Sequence, residues 1–208
     1  MKPLNKISLS LAIIGLVVLL VLLLTEIGQR QQPNEIELTQ SLPDLTLDYE
    51  LVRHDGSLLR DEDLHGKYQL IYFGFAFCPD ICPFTLDLMA SALDQVGTKA
   101  DLVQPIFITL DPERDTPSEL EAYINAFFPS FIGLTGSPEA IDHAAKALKV
   151  YYRKVASENA DGDYVIDHSS IIYLFDQKGK FIKFFTHQDT SDTLAAALAQ
   201  LVTEQPVE

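Results

Sequence analysis

At 208 residues the chain is long enough for one domain with a full hydrophobic core plus an anchor, and too short for two full domains. Its 15 basic residues against 30 acidic ones give a net charge of −15, with no basic stripe, which argues against nucleic acid as a partner. Only two cysteines are present, four positions apart, and a disulfide framework in a small exported domain would use more at wider spacings.

The first element in chain order is an uncharged apolar run over residues 7–24. Eighteen residues are just enough to cross a bilayer core as a helix. Lys2 and Lys6 precede the run and Glu26 follows it, so residues 1–6 are expected in the cytoplasm and everything after Thr25 on the far side. A cleaved signal peptide is the alternative, but Leu22 to Gly28 offers no good pair of small residues at a cut site. No cysteine lies near the end of the run for a lipid anchor, and an arginine-free start disfavours a mitochondrial presequence. Residues 25–40 are polar and glutamine-rich, and read as a tether with a reach of at most ~50 Å.

From about residue 41 to the end, strands and helices alternate. Residues 69–76 and 104–110 are apolar, β-rich runs of the kind buried on both faces of a sheet. Between them Leu86, Met89, Ala90, Leu93 and Val96 recur at helical spacing. Thr116-Pro117-Ser118-Glu119 combines an N-cap, a proline at the first helical position and a capping-box glutamate. The helix it opens carries Leu120, Ile124 and Phe127 on one side, and Ser137-Pro138 opens another with Ile141, Ala144, Ala145 and Leu148 inward. Residues 170–176 and 180–185 read as a hairpin around Gly179, and Leu194, Leu198, Leu201 and Val202 mark a last helix. Strand, helix, strand, helix, helix, hairpin, helix is the order of an α/β, thioredoxin-like fold with one inserted helix. It predicts a mixed central sheet with helices on both faces, preceded by one transmembrane helix.

The chemistry concentrates where the first strand meets the first helix. Cys78 ends that connection and Cys82 lies in the first helical turn, with Pro79 and Pro83 tolerated there because those positions have no intrahelical N–H partner. Unpaired N–H groups and the helix dipole favour a thiolate. Residues i and i+4 share a helix face, so both sulfurs can meet one ion or each other. Such a pair suits Cu(I) or zinc, while two cysteines alone cannot hold an iron–sulfur cluster. Of five histidines, His54, His65, His143 and His187 read as surface residues. His168 lies in a segment leading into a central strand, facing the N-terminus of the first helix. On spacing alone it is either a third ligand or a satisfied structural histidine. Asp80 and Asp167 stand next to these groups, either to orient a ligand or simply as solvated carboxylates.

Four stretches together resemble the Sco/SenC family in order and spacing. They are Phe73-Gly-Phe-Ala-Phe-Cys78-Pro-Asp-Ile-Cys82-Pro83, Thr109-Leu-Asp-Pro-Glu-Arg-Asp-Thr-Pro117, Ile132-Gly-Leu-Thr-Gly136 and Asp167-His-Ser-Ser170. The resemblance runs from about residue 40 onward. It implies a thioredoxin fold, a copper ion held by Cys78, Cys82 and His168, and a role in assembling cytochrome c oxidase, with that enzyme's copper-binding subunit as partner. With the anchor, it implies a single-pass protein of a bacterial inner membrane whose domain faces the periplasm. Ala76 and Phe77 depart from the polar Thr-His common before the first family cysteine, which touches local hydrogen bonding rather than the ligands.

A thiol–disulfide reductase acting on the oxidase cysteines is the rival reading, since exchange needs only a low-pKa thiolate and a resolving thiol. Against a general oxidoreductase stand the C-x-x-x-C spacing and the lack of any proline between Pro138 and Pro206 to sit opposite the cysteines. A peroxidase is disfavoured by Phe75, where a Thr or Ser is expected, and a zinc site is chemically allowed.

Overall fold

A computed structural model describes residues 45–156 and 164–203. The expected span 7–24 and the tether 25–40 lie outside the described residues. Among the described residues, no helix is long and apolar enough to cross a membrane.

The domain is organised around two strands, β3 (Tyr68–Gly74) and β4 (Val103–Thr109), in which every residue is buried. They pair in parallel, Ile71 opposite Ile106 and Gly74 opposite Thr109. Continuous apolar runs of this kind need cover on both faces, which fits their central place. Two polar residues near the start of these strands make internal hydrogen bonds: Tyr49 Oη donates to Gln69 Oε1 at 3.1 Å, and Gln104 Nε2 donates to the Ser130 carbonyl at 2.6 Å.

The remaining strands complete a mixed sheet of seven. With β1 (Glu50–Arg53), β2 (Leu58–Arg60), β5 (Ile132–Thr135), β8 (Ile171–Phe175) and β9 (Phe181–Thr186), the order is β2-β1-β5-β4-β3-β8-β9. β5 runs parallel to β4, whereas β1, β2, β8 and β9 join antiparallel. The β8–β9 turn uses Gly179 at φ 76°, a left-handed conformation that favours glycine.

Helix α1 (Ile81–Val96) connects β3 to β4 and packs beside α4 (Ser191–Thr203). Helix α2 (Pro117–Ile124) carries the expected capping box between Thr116 and Glu119, and places Leu120 and Ile124 against Gly133 of β5. Helix α3 (Pro138–Ala147) is capped by Ser137, whose hydroxyl accepts the Ala140 N–H at 3.2 Å. Phe127 lies beyond the end of α2, half-buried against the core.

Three features extend the sequence-based order. The hairpin β1–β2 and the strand β5 are only three or four residues each, too short for an alternating pattern to declare them. The third is an antiparallel ribbon of β6 (Tyr152–Ala156) and β7 (Tyr164–His168), a two-stranded sheet separate from the main one. His168 ends this ribbon, pairing with Tyr152, and only Ser169 and Ser170 separate it from β8.

Candidate metal centre

The cysteine loop hangs between the end of β3 and the start of α1. Gly74 terminates the strand, and its carbonyl accepts the Leu110 N–H at 2.7 Å. A Cβ at Gly74 would lie 2.9 Å from Cys82 Sγ and 2.9 Å from Phe107 Cε2, so only glycine leaves the sulfur its place. The Cys78 N–H donates to the Phe75 carbonyl at 3.2 Å, closing a turn. The Ala76 N–H donates to Asp115 Oδ2 at 2.9 Å, tying the loop to the segment after β4.

Both thiols are free and both lie inside the protein, Cys82 fully buried and Cys78 at the margin with 9% exposure. The Cys82 N–H donates to Cys78 Sγ at 3.4 Å, as a helix N-terminus does for an anion. The Cys78 thiol is pushed well below the ordinary thiol range, first by the hydrogen bond from the Cys82 thiol, with further support from His168 and the backbone of Asp80 and Cys82. Cys82 is pushed up, first by that same hydrogen bond and then by burial. The two thiols are thus pushed in opposite directions, Cys78 toward the thiolate and Cys82 toward the protonated form.

His168 reaches this pair from the ribbon. Its Nε2 stands 3.5 Å from Cys82 Sγ, and its Nδ1 faces the Ser169 carbonyl at 3.1 Å. A carbonyl only accepts, so Nδ1 carries a hydrogen there, and Nε2 is the nitrogen turned to the sulfur. Tyr72 and Phe75 meet the imidazole edge-on, with centroids 6.2 and 6.0 Å away. Tyr72 Oη also donates to Cys82 Sγ at 3.6 Å and lies 3.3 Å from Ser170 Oγ.

One pair of these groups has the spacing that a soft metal ion asks of its ligands. Bonds of ~2.3 Å to sulfur and ~2.0 Å to nitrogen at a tetrahedral angle separate the two donors by about 3.5 Å. Cys82 and His168 already keep that distance. Among the described residues, no group of three or more His, Cys, Asp or Glu side chains is spread as a ready metal cage. Cys82 instead meets Cys78 through its backbone N–H and His168 through its sulfur.

The expected neighbours are placed differently. Asp167 is exposed and its Oδ2 accepts from Arg153 Nε at 3.1 Å, while Asp80 is exposed at the N-cap of α1 and supports Cys78 through its backbone. The Ser169 carbonyl, rather than either carboxylate, faces His168 Nδ1. His65 and His187 are exposed, and His143 pairs with Asp48 at 2.9 Å on the surface. His54 is half-buried rather than a free surface residue: its Nδ1 accepts the Gly133 N–H at 3.1 Å, bracing β1 against β5. A cavity of about 460 Å³ lies along β1 and β2, lined by Asp48, Arg60 and His143 among others, and shares no residue with the cysteine–histidine cluster.

Sequence reasoning did not single out Tyr72 or Asp115. Tyr72 reads as one more apolar strand residue, and Asp115 is one acid in a protein rich in them. The signal available was the Asp111–Thr116 stretch, already noted as part of a motif.

A thioredoxin-like domain with a helix-start dithiol facing an imidazole defines a redox or soft-metal protein. The SCO1/SenC family model matches residues 38–203, and the chain belongs to that family. It is 44% identical over 172 residues to Protein sco1 of Schizosaccharomyces pombe, covering 81% of this chain and 65% of that one. It is 42% identical to the mitochondrial SCO1 homolog 1 of Arabidopsis thaliana, covering 70% of this chain and 43% of that one. The chain thus spans less than two thirds of the length of these two relatives. Among solved structures, Arabidopsis thaliana ScoI, crystallised with copper bound, is 38% identical with a TM-score of 0.72, over 77% of this chain and 99% of that one. BsSco, described as a member of the Sco family of cytochrome c oxidase assembly proteins with a disulfide switch, is 26% identical with a TM-score of 0.60, over 78% and 96%.

Proposed function

We propose that the protein is a copper metallochaperone that binds one copper ion through Cys78, Cys82 and His168 and delivers it to the copper-binding subunit of cytochrome c oxidase. The observation that carries this reading is the approach of His168 Nε2 to within 3.5 Å of Cys82 Sγ, across 86 residues of sequence. A structural histidine would have its lone pair satisfied by a fixed donor. Here Nε2 meets the buried Cys82 sulfur of a helix-start dithiol instead. Two soft sulfurs with one imidazole suit copper in both oxidation states, and the sulfurs alone suffice for Cu(I). The bound copper of the Arabidopsis relative supports the same choice.

The proposed organisation is residues 1–6 in the cytoplasm, an anchor at 7–24, a tether at 25–40 and the copper-binding domain from 41 to 208, facing the periplasm from a bacterial inner membrane. The apolar run flanked by Lys2 and Lys6 supports it. The anchor is tested by carbonate washing, after which the protein stays in the membrane fraction. A mature N-terminus near residue 25–30 would overturn it. The ligand set is tested by loading the reduced chain with copper and zinc in competition. One copper per chain binds in preference to zinc, and Cu(II) gives thiolate-to-metal charge-transfer absorption. Unchanged affinity for both oxidation states in His168→Ala would remove the histidine from the site.

The second reading, a thiol–disulfide reductase for the client's copper-ligand cysteines, is favoured by the lowered Cys78 thiol beside a buried resolving thiol. The two activities use the same sulfurs and can coexist.

A further inference from the structure

The loop after β4, from which Asp115 holds the Ala76 N–H, touches both halves of the proposed site. We propose that Arg114 is a positioning residue that locks the His168-bearing ribbon to the cysteine loop and so sets the imidazole-to-sulfur distance. This rests on the reading of His168 as a copper ligand.

The ribbon β6–β7 is not hydrogen-bonded into the main sheet: the short link to β8 ties its His168 end, and side chains place its far end. Its end near Tyr164 is held by the 111–116 loop. Arg114 Nη1 donates to the Tyr164 carbonyl at 3.1 Å, and the guanidinium carbon stands 3.9 Å from the Tyr164 ring centroid. Tyr164 Oη donates to Asp111 Oδ1 at 2.7 Å, and Asp111 Oδ2 pairs with Arg114 Nε. Asp111 is fully buried, and its N–H is anchored on Thr109 Oγ1 at the end of β4. A second tie reaches the other strand, Lys154 Nζ to Glu113 Oε2 at 2.7 Å. The same guanidinium lies 5.0 Å from the ring centroid of Phe77, the residue before Cys78. Phe77 is 56% exposed, so it fills no core, and contact with Arg114 gives an otherwise solvent-facing ring a role.

A guanidinium is planar and can address two rings and a carboxylate at once, which an ammonium cannot. One side chain thus connects the strand leading to His168 with the residue before Cys78. Cu(II) draws on the imidazole more than Cu(I) does, so a loosened ribbon costs Cu(II) selectively.

The test uses the full chain in detergent, comparing Arg114→Lys and Phe77→Ala with His168→Ala. Arg114→Lys keeps a charge for buried Asp111, and Phe77→Ala alters an exposed side chain, so the fold survives in at least the second. Cu(II) affinity is expected to fall by about tenfold in each, as for other groups that orient a ligand. Cu(I) affinity changes less than twofold, the Cu(II)–thiolate absorption shifts, and amide exchange in residues 164–168 quickens. Equal losses for both oxidation states, or an unchanged Cu(II) affinity while His168→Ala loses it, overturn the proposal for Arg114 and leave the ligand set standing. Unchanged Cu(II) affinity in His168→Ala itself removes the ligand reading, and the proposal with it.

Discussion

The Asp115 carboxylate accepts the backbone N–H of Ala76 at 2.9 Å, two residues ahead of Cys78, while the same oxygen takes the Thr109 hydroxyl at 2.6 Å. A buried acid thus fixes the cysteine loop from beneath. Its pKa is raised, first by burial and further by Asp111, with Arg114 and the two hydrogen bonds opposing. A carboxyl whose folded pKa exceeds its unfolded value contributes most below the unfolded value, about pH 4, and loses that contribution as pH rises through the folded pKa. Asp115→Asn keeps an acceptor and removes the titration. Urea unfolding from pH 4 to 7 is expected to show the stability difference moving steadily in favour of the variant. A difference that stays flat across that window would contradict the assignment. Asp115→Ala, by contrast, strands two buried donors at ~1–3 kcal/mol each at any pH.

Gly74 offers a steric probe of the same region. An added methyl meets Cys82 Sγ and Phe107 Cε2 at 2.9 Å and Tyr72 Cε1 at 3.1 Å. Two of these belong to buried rings that cannot swing away, so the sulfur or the strand must shift. Gly74→Ala is expected to lose about 1–3 kcal/mol of stability in denaturant unfolding. It also alters the Cu(II) charge-transfer band, because Cys82 moves relative to His168. Wild-type stability and spectrum together would mean that the strand end yields freely.

Much of this arrangement was legible beforehand, and the remainder was hidden for physical reasons. Buried strands such as β3 and β4 announce themselves through unbroken apolar runs, and α2 and α3 through their caps. The ribbon does not, because β6 is largely exposed and its residues carry mixed polarity. His168 was legible as a residue leading into a central strand, and β8 does follow it after Ser169 and Ser170, but the ribbon strand that carries it was not. Tyr72 was invisible as a neighbour of the site because its ring satisfies the core pattern and only its hydroxyl meets Cys82. Asp167 looked placed to orient His168 by adjacency. In a strand, however, successive side chains point to opposite faces, and Asp167 is turned to Arg153 instead.

The two thiols are shifted in opposite directions, which makes their reactivity unequal. Cys78 is lowered chiefly by the hydrogen bond from Cys82, and Cys82 is raised by the same bond and by complete burial. Iodoacetamide at pH 6 is therefore expected to alkylate Cys78 first, read by peptide mass spectrometry. In Cys82→Ala the pH profile of Cys78 alkylation moves upward, since its main stabilising donor is gone. Equal labelling of both sulfurs, or a profile that does not move, would show that the thiols titrate independently.

The chaperone and the reductase separate at His168. Both need Cys78 and Cys82, so cysteine variants cannot tell them apart. Thiol exchange requires no nitrogen ligand, whereas a copper site of two sulfurs and an imidazole does. His168→Ala is expected to form the Cys78–Cys82 disulfide and to reduce a disulfide in the oxidase copper-binding subunit at near the wild-type rate. It fails to metallate that subunit when copper is limiting, and excess copper relieves the failure because the client then loads directly. The imidazole also supports the Cys78 thiolate, so the exchange rate is measured in the same preparation to separate a slower thiol from a lost ligand. If metallation by His168→Ala matched wild type while Cys78→Ser abolished it, the histidine would be dispensable, and the protein would be a dedicated thiol reductase whose sulfurs prepare the client rather than carry its metal.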